Sequence, residues 1–296
     1  MATKKLRGAD PKTITPSKPK VLIYGTPGVG KTWASLDFPS VYYIDTEGGA
    51  DLEHYTDKLK ASGASYLGPD EGACDFPTVL DEIQTLATTQ HDRKTLVIDS
   101  FSKLFNSQVA ITAEAMEKAG KEDAFGASKK TAIAYSRRMV AWFQKLDMNV
   151  ILICHQKSLW KDGKEAGVTF DGWDKLEYEL HLTLRIAKHG TSRKAFIGKS
   201  RLIPFPESES FDWSYGEFSK RYGKDTMEKA STPAVIASPA QVAEFKTLLA
   251  KVKLDQSVTE RATAEPASEM DADKIEKWLT WLRGQDAAQN AGTPAA

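Results

Sequence analysis

An eight-residue stretch, GTPGVGKT from Gly25 to Thr32, has the composition of a loop that wraps phosphate groups. It fits the pattern G-x-x-x-x-G-K-[ST], whose glycines let successive backbone N–H groups point at a phosphate chain. In such a loop the ammonium of Lys31 reaches the β- and γ-phosphates, and the hydroxyl of Thr32 binds Mg²⁺. A glycine-rich turn that binds nothing is the alternative. The motif predicts ATP and Mg²⁺ as cofactors, with Thr32 as a ligand of the metal. The predicted ATP-binding residues are Gly25, Thr26, Pro27, Gly28, Val29, Gly30, Lys31 and Thr32.

A second candidate magnesium ligand ends an apolar run. The run TLVID has the composition of a buried strand and ends in Asp99. Such a strand beside the first one would bring a carboxylate to the magnesium ion, and a solvent-exposed strand-end acid is the alternative. In many nucleotide hydrolases a glutamate follows this aspartate and prepares the attacking water. Here Ser100 follows Asp99, so the base must come from another segment.

The base is expected at the end of a neighbouring strand, where a carboxylate can reach a water in line with the γ-phosphate. The segment VYYIDTEGG supplies Asp45 and Glu47 just past the second predicted strand, and two glycines then let the chain turn. We interpret Glu47 as the replacement for the missing glutamate. A solvent-exposed acid in a turn is the alternative.

Alternating strands and helices must position these residues. The strand candidates KVLIYG, SVYYIDT, KTLVIDS and NVILICHQ are separated by helical patterns, which predicts an α/β fold with a mostly parallel sheet flanked by helices. Ligands bind at the carboxyl ends of the strands in such sheets. A hairpin is predicted around His189 and Gly190, after a polar loop at 157–172. Helices are predicted at 31–37, 50–61, 76–89, 101–118 and 128–147.

The composition changes along the chain and predicts five segments. A basic, proline-containing flexible arm at 1–19 precedes a nucleotide-binding core at 20–222. A small-residue, proline-containing linker at 223–240 leads to a small helical domain at 241–284, and 285–296 is predicted to be a disordered tail.

The bulk composition excludes some classes of protein. The 296 residues include 41% hydrophobic and 27% charged residues, which is typical of a globular protein with a core. The net charge is zero, so attraction to nucleic acid or a membrane would have to come from local patches. Cys74 and Cys154 match no metal-binding spacing. The apolar runs are too short to span a bilayer, and we expect a cytoplasmic protein without membrane contact.

The acidic motifs resemble those of the RecA family of recombinases. That family carries hydrophobic-Asp-(Thr or Ala)-Glu after the second strand and hydrophobic-Asp-Ser at the magnesium strand. The resemblance implies a RecA-like fold with Glu47 as the catalytic base and a catalytic role for Lys31. NVILICHQ resembles the family strand that ends in a γ-phosphate-sensing glutamine, here Gln156. His155 precedes it, where recombinases more often carry Asn, and we interpret it as a strand-end polar residue, with phosphate contact as the alternative.

A basic pair late in the chain extends the resemblance. Lys199 and Arg201, in IGKSR, resemble the basic residues that RecA-like and KaiC-like ATPases present to the nucleotide of a neighbouring subunit. The resemblance implies a homo-oligomer with ATP at its subunit interfaces, and a catalytic role for both residues. A solvated basic strand edge is the alternative.

The predicted loop after Gln156 lies where RecA-like proteins hold a flexible DNA-binding segment. It carries three lysines around Trp160, which would pair with phosphates while the indole stacks on a base. A packed tryptophan on a solvated, mixed-charge surface is the alternative. The candidate nucleic-acid-binding residues are Lys157, Trp160, Lys161 and Lys164.

A compact core of this kind with C-terminal helices is similar to phage-encoded ATP-binding, single-strand annealing proteins. The resemblance covers roughly 20–205 and implies a Mg²⁺-dependent ATPase that assembles on single-stranded DNA and promotes annealing or recombination in the host cytoplasm. A single-strand-binding protein is a further expected partner. One alternative is an ATP-ordered DNA-binding scaffold with negligible turnover. Another is an AAA+ ATPase such as a helicase loader, against which the absence of a glutamate after Asp99 counts.

Overall fold

The computed structural model describes residues 17–49 and 52–291. The strands of this part of the chain are β1 (Lys20–Gly25), β2 (Val41–Asp45), β3 (Ser65–Leu67), β4 (Thr95–Asp99), β5 (Asn149–Lys161), β6 (Lys164–Phe170), β7 (Leu182–His189), β8 (Ser192–Ser200) and β9 (Ser210–Asp212). The helices are α1 (Lys31–Ser35), α2 (Glu53–Ser62), α3 (Phe76–Thr88), α4 (Phe101–Lys118), α5 (Lys129–Lys145), α6 (Leu176–Glu179), α7 (Tyr215–Tyr222), α8 (Lys224–Glu228), α9 (Pro239–Lys251), α10 (Gln256–Ala262) and α11 (Ala272–Ala291).

One sheet organises the core, with the strand order β3-β2-β4-β5-β1-β7-β8-β9 and β6 paired to β5. The six neighbouring strands β3, β2, β4, β5, β1 and β7 are parallel to one another. Strands β8 and β9 continue the sheet in antiparallel pairing. The ends of β1, β2, β4 and β5 therefore meet along one edge, called here the carboxyl edge. The predicted α/β fold with a mostly parallel sheet and flanking helices is confirmed. The predicted start of the second helix at residue 50 lies outside the described residues.

Both faces of the sheet are buried because neighbouring strand residues point to opposite sides. On β1, Leu22 packs on the face covered by α3, α4 and α5, and its neighbour Ile23 packs on the face covered by α1 and α7. Both side chains are fully buried. Continuous apolar runs are typical of strands buried on both faces, which explains why these strands were recognisable in the sequence.

The polar loop predicted at 157–172 is wrong, because this segment forms a β-hairpin. Strand β5 continues past the sheet to Lys161 and pairs with β6 in antiparallel register, with Lys161 opposite Lys164. The connection is the dipeptide Asp162-Gly163, and both residues have positive φ angles, as tight two-residue hairpin turns require. Most of the hairpin is solvent-exposed on both faces, so its sequence lacks the apolar alternation that identifies a strand.

A separate apolar cluster forms beneath the C-terminal helices, with Phe245, Ile275 and Leu279 among its buried residues. The predicted helix stop at Gly284 and the disordered start of the tail are wrong, because α11 continues to Ala291. The ion pair Lys251–Asp286, at 2.7 Å, ties this last part to α9. Residues 292–296 lie outside the described part.

Two further predicted segment boundaries differ from the structure. Residues 1–16 of the predicted basic arm lie outside the described residues, but Lys18 is buried and donates to the carbonyls of Asp147 at 3.0 Å and Lys229 at 2.7 Å. The arm therefore does not extend to residue 19. The predicted linker at 223–240 contains α8, whose Met227 is fully buried and joins the core.

The helices found in 17–49 and 52–291 include none that combines the length and the apolar character needed to cross a bilayer.

Candidate functional site

A cavity of about 550 Å³ opens at the carboxyl edge of the sheet. The glycine-rich loop after β1 forms one wall, and the ends of β2, β4 and β5 form the other walls. The sheet thus brings together residues from four separated segments of the chain. The predicted site residues that line the cavity are Gly25, Pro27, Gly28, Lys31, Thr32, Glu47, Asp99 and Gln156.

The loop has the backbone geometry of a phosphate cradle. Gly28 and Gly30 have φ angles of 71° and 84°, in the left-handed region that favours glycine, and α1 begins directly after Gly30. The first N–H groups of a helix have no partners within it, so those of α1 are free to donate to a phosphate bound by the loop. Beneath the loop, Val29 is buried in the core and anchors it.

Lys31 lies inside the loop with its ammonium on two backbone carbonyls. Its Nζ donates to the oxygens of Gly25 at 2.9 Å and Thr26 at 3.1 Å. Burial lowers the pKa of Lys31, and the negative charges of Asp99 and Glu47 act in the opposite direction. The side chain that the motif assigns to the phosphates therefore already faces the acidic wall of the cavity.

Thr32 and Asp99 meet as the metal hypothesis requires. The Thr32 hydroxyl donates a hydrogen bond to Asp99 Oδ2, and the hydroxyl of Tyr43 lies 3.2 Å from the same oxygen. Burial raises the pKa of Asp99 to about 6, while the hydrogen bond from Thr32 lowers it. A cation would relieve this cost of burying a carboxylate, and oxygen donors of these two types suit Mg²⁺.

No cluster of three or more His, Cys, Asp or Glu side chains fit to hold a metal occurs in the described chain. A magnesium ion held by Thr32 and Asp99 would therefore complete its shell with water and phosphate oxygens, as Mg²⁺ commonly does beside nucleotides. The residues present fit this ion as a partner of bound ATP.

Glu47 lines the cavity and is held by two side chains. Its Oε1 accepts a hydrogen bond from Ser100 Oγ at 2.5 Å and lies 2.6 Å from His155 Nε2. A carboxylate only accepts, so Nε2 carries the proton in this contact. Asp45 Oδ1 accepts from the N–H groups of Glu47 and Gly48 and stabilises the turn that carries Glu47.

The structure therefore shows a role for His155 that neither sequence interpretation included. His155 ends the β1-paired part of β5, opposite Gly25, and contacts the carboxylate at the end of β2. The contact depends on the order β2-β4-β5, which no motif reveals. Tyr55 was also missed: it lines the cavity and packs edge-on against Trp33, with ring centroids 5.7 Å apart.

The two basic residues proposed to act on a neighbouring subunit lie at the opposite edge of the sheet. Lys199 pairs with Thr183, one residue from Leu182, which pairs with the beginning of β1. Its Nζ donates to the Leu180 carbonyl, and the Arg201 guanidinium donates to the Tyr178 carbonyl. Neither side chain lines the cavity of its own subunit, and contact with a neighbour's nucleotide stays a prediction.

The predicted nucleic-acid residues lie on the β5–β6 hairpin. Trp160 is 64% exposed and therefore does not pack into the core. Lys161 and Lys164 flank the exposed turn, whereas Lys157 lies 3.4 Å from a carboxylate oxygen of Asp171. The hairpin continues directly from Gln156, so cavity and hairpin share one strand. Nucleic-acid contact by these residues stays a prediction.

Comparison with known proteins gives a family and two structural likenesses. The model of the AAA_24 family, described as an AAA domain, matches residues 17–212. No curated protein matches the chain. Among solved structures, the chain is similar to the RadB recombinase, with 20% identity, a TM-score of 0.44 and coverage of 66% of this chain and 86% of that one. It is also similar to a KaiC-like protein from Pyrococcus horikoshii, with 16% identity, a TM-score of 0.41 and coverage of 66% and 84%.

The family match spans all strands from β1 to β9 and the whole cavity. The absence of a glutamate after Asp99, which on sequence grounds counts against an AAA+ ATPase, does not exclude membership of this family. Glu47, two residues past β2, accepts a hydrogen bond from Ser100, the residue that stands in place of that glutamate. The chain belongs to the AAA domain family.

Proposed function

We propose that this protein is a Mg²⁺-dependent ATPase that assembles on single-stranded DNA and promotes annealing or recombination. The observation that carries the proposal is the position of Glu47, which lines the same cavity as Lys31, Thr32 and Asp99 and accepts a hydrogen bond from Ser100, the residue after Asp99. A nucleotide-binding loop, a magnesium pair and a further carboxylate in the same cavity are the parts that hydrolysis of a phosphoanhydride needs.

In this mechanism the loop amides and Lys31 bind the phosphates, while Thr32 and Asp99 would hold Mg²⁺. The bound ion would neutralise charge on the β- and γ-phosphates. Glu47 accepts a proton from a water whose oxygen attacks the γ-phosphorus, and the bond to the β-phosphate oxygen breaks to leave ADP and phosphate. Ser100 and His155 orient the carboxylate through their hydrogen bonds to Oε1. The Gln156 amide would sense the γ-phosphate.

The DNA part of the proposal rests on the β5–β6 hairpin. Its exposed indole and the lysines at its tip offer stacking and phosphate contacts that do not depend on base identity. Because β5 also lines the cavity, nucleotide state and hairpin position would be coupled through one strand. Lys199 and Arg201 would contact the nucleotide of a neighbouring subunit in a homo-oligomer, and a single-strand-binding protein would be a further partner.

The test measures ATP hydrolysis and annealing of complementary oligonucleotides by the wild-type chain and by Lys31→Ala. We expect Mg²⁺- and ATP-dependent annealing that the variant loses, with DNA binding that weakens steeply as salt increases. ATP-dependent DNA binding without phosphate release would instead support the scaffold alternative. Nucleotide hydrolysis without DNA binding at low salt would reject the annealing function and retain the ATPase.

A further inference from the structure

The β7–β8 hairpin leaves the sheet beside the glycine-rich loop. Strand β7 pairs with β1 as far as Arg185, opposite Tyr24, and continues beyond the end of β1 to His189. A Cβ atom added to Gly25 would lie 2.3 Å from the carbonyl oxygen of Ile186. The hairpin is thus in backbone contact with the first glycine of the loop.

A side chain of this hairpin covers the last glycine of the loop. A Cβ atom added to Gly30 would lie 2.2 Å from Nε of Arg193 and 3.0 Å from its Cζ. The guanidinium therefore occupies the space beside the residue that precedes Lys31. Arg193 is exposed, and no hydrogen bond or ion pair holds its guanidinium in the part of the chain that the structure describes.

The backbone that carries Arg193 is fixed. Arg193 pairs with Lys188 across the hairpin, and its carbonyl accepts a hydrogen bond from the N–H of Trp213 at 2.8 Å. Trp213 is buried in the apolar core, and the neighbouring Lys194 forms an ion pair with Asp212 at 3.3 Å. The hairpin holds the start of this arginine side chain in place while the charged end stays available to a ligand.

The cavity lining is negatively charged, so a bound triphosphate needs a further positive charge nearby. Three carboxylates line it, those of Asp45, Glu47 and Asp99. Among the described residues of the lining, Lys31 is the only lysine or arginine. A bound Mg²⁺ would offset part of this negative charge, but a triphosphate adds more. The charge of Arg193 reaches the cavity wall, because it opposes the burial that raises the pKa of Tyr55.

We propose that Arg193 is a phosphate-binding residue of its own subunit's nucleotide site, pairing with the phosphates nearest the nucleoside. The inference rests on the proposed ATP binding and adds a residue to that site. Strand β7 lies on the other side of β1 from β5, β4 and β2, so the guanidinium approaches from the side away from Glu47 and Asp99. A planar guanidinium can bind phosphate oxygens in pairs, which gives this contact both strength and orientation.

The test is equilibrium binding of ATP, ADP and adenosine to the wild-type chain, Arg193→Gln and the matched control Lys194→Gln. We expect Arg193→Gln to weaken ATP and ADP by about tenfold each and to leave adenosine unchanged, because a charge-assisted contact to phosphate is lost. The nucleotide affinity of Arg193→Gln should also depend less on salt than that of the wild type. Lys194→Gln should bind like the wild type.

Three results would overturn the assignment: unchanged ATP and ADP affinities in Arg193→Gln, an equal loss of adenosine affinity, or an equal loss in Lys194→Gln. Arg193→Lys keeps a positive charge and should give an intermediate affinity, so it tests the inference even where the glutamine variant folds poorly. A wild-type chain that binds no nucleotide would reject the proposed function itself. Wild-type binding that Lys31→Ala abolishes and Arg193→Gln preserves would reject this inference alone.

Discussion

Glu47 Oε1 and His155 Nε2 lie 2.6 Å apart, although β2 and β5 are separated in the sheet by β4. Ser100, directly after β4, completes the arrangement with hydrogen-bond contacts to both side chains. Three strand ends therefore converge on one carboxylate oxygen. This convergence, more than any single motif, makes Glu47 the strongest candidate for the base.

Replacing Glu47 by glutamine tests the base directly. The variant Glu47→Gln keeps the size of the side chain but cannot accept a proton from water, so turnover should fall by at least about a hundredfold. ATP affinity should remain, because the loop and Lys31 are untouched. Phosphate release and nucleotide titration measure the two properties. Glu53→Gln, at the exposed start of α2, is the matched control, and wild-type turnover in Glu47→Gln would remove the assignment.

His155 is predicted to position Glu47 and not to touch the phosphates. His155→Phe removes the hydrogen bond to Oε1 and should lower kcat by about tenfold with KM unchanged. His155→Gln restores an N–H donor and should recover part of the loss. Steady-state kinetics separate kcat from KM. A raised KM with an unchanged kcat would show instead that His155 contributes to nucleotide binding.

The exposed indole of the hairpin should contribute to DNA affinity. Trp160→Ala should weaken binding of single-stranded oligonucleotides by about 1–3 kcal/mol with no change in the salt dependence, because stacking is lost and no charge is removed. Lys161→Gln should instead reduce the slope of affinity against salt. Fluorescence titration at several salt concentrations checks both expectations. Tyr178→Ala removes an exposed aromatic from α6, outside the hairpin, and should bind DNA normally.

Mixed oligomers test the role of Arg201 between subunits. Arg201→Ala should be inactive because it cannot complete a neighbour's site, and Lys31→Ala should be inactive because it binds no ATP. Mixing the two variants should restore part of the ATPase activity, since a Lys31→Ala subunit still presents Arg201. Activity of the mixture no higher than that of the separate variants would reject the interaction between subunits.

The stability of the fold should depend on pH through Lys20. Its Nζ donates to the carbonyls of Leu146 and Met148, and burial lowers its pKa to about 7, with Asp147 acting in the opposite direction and Lys18 in the same one. The unfolded chain therefore binds more protons than the folded chain above about pH 7, and the free energy of unfolding rises with pH toward the ordinary lysine value.

Lys20→Met should remove this rise, which amounts to about 1.4 kcal/mol per pH unit at most. Urea unfolding of the wild type and the variant at neutral and mildly alkaline pH measures the difference. Lys118→Met, at the exposed end of α4, serves as the control and should keep the wild-type slope. Parallel pH dependence in the wild type and Lys20→Met would show that Lys20 stays charged in the folded chain.

The predicted segments that differ from the structure share a physical cause. The β5–β6 hairpin and the end of α11 are not predictable from apolar periodicity, because neither segment carries the regular apolar stripe that identifies a strand or helix in a sequence. Their structure comes instead from the Asp162-Gly163 turn and from contacts such as Lys251–Asp286. The basic, proline-containing composition around Lys18 is typical of a flexible arm, whereas the Lys18 ammonium donates hydrogen bonds to three oxygens of the described chain.

The sequence alone determined the local features of the site, which are the phosphate-binding loop, the apolar strands and the acids at the strand ends. Those features depend on neighbouring residues, so their spacing along the chain is enough to identify them. The strand order alone decided that Glu47 meets Ser100 and His155, and that Arg193 covers Gly30. Such contacts join segments far apart in the chain, and they arise from how the apolar faces of the sheet pack, which no short motif encodes.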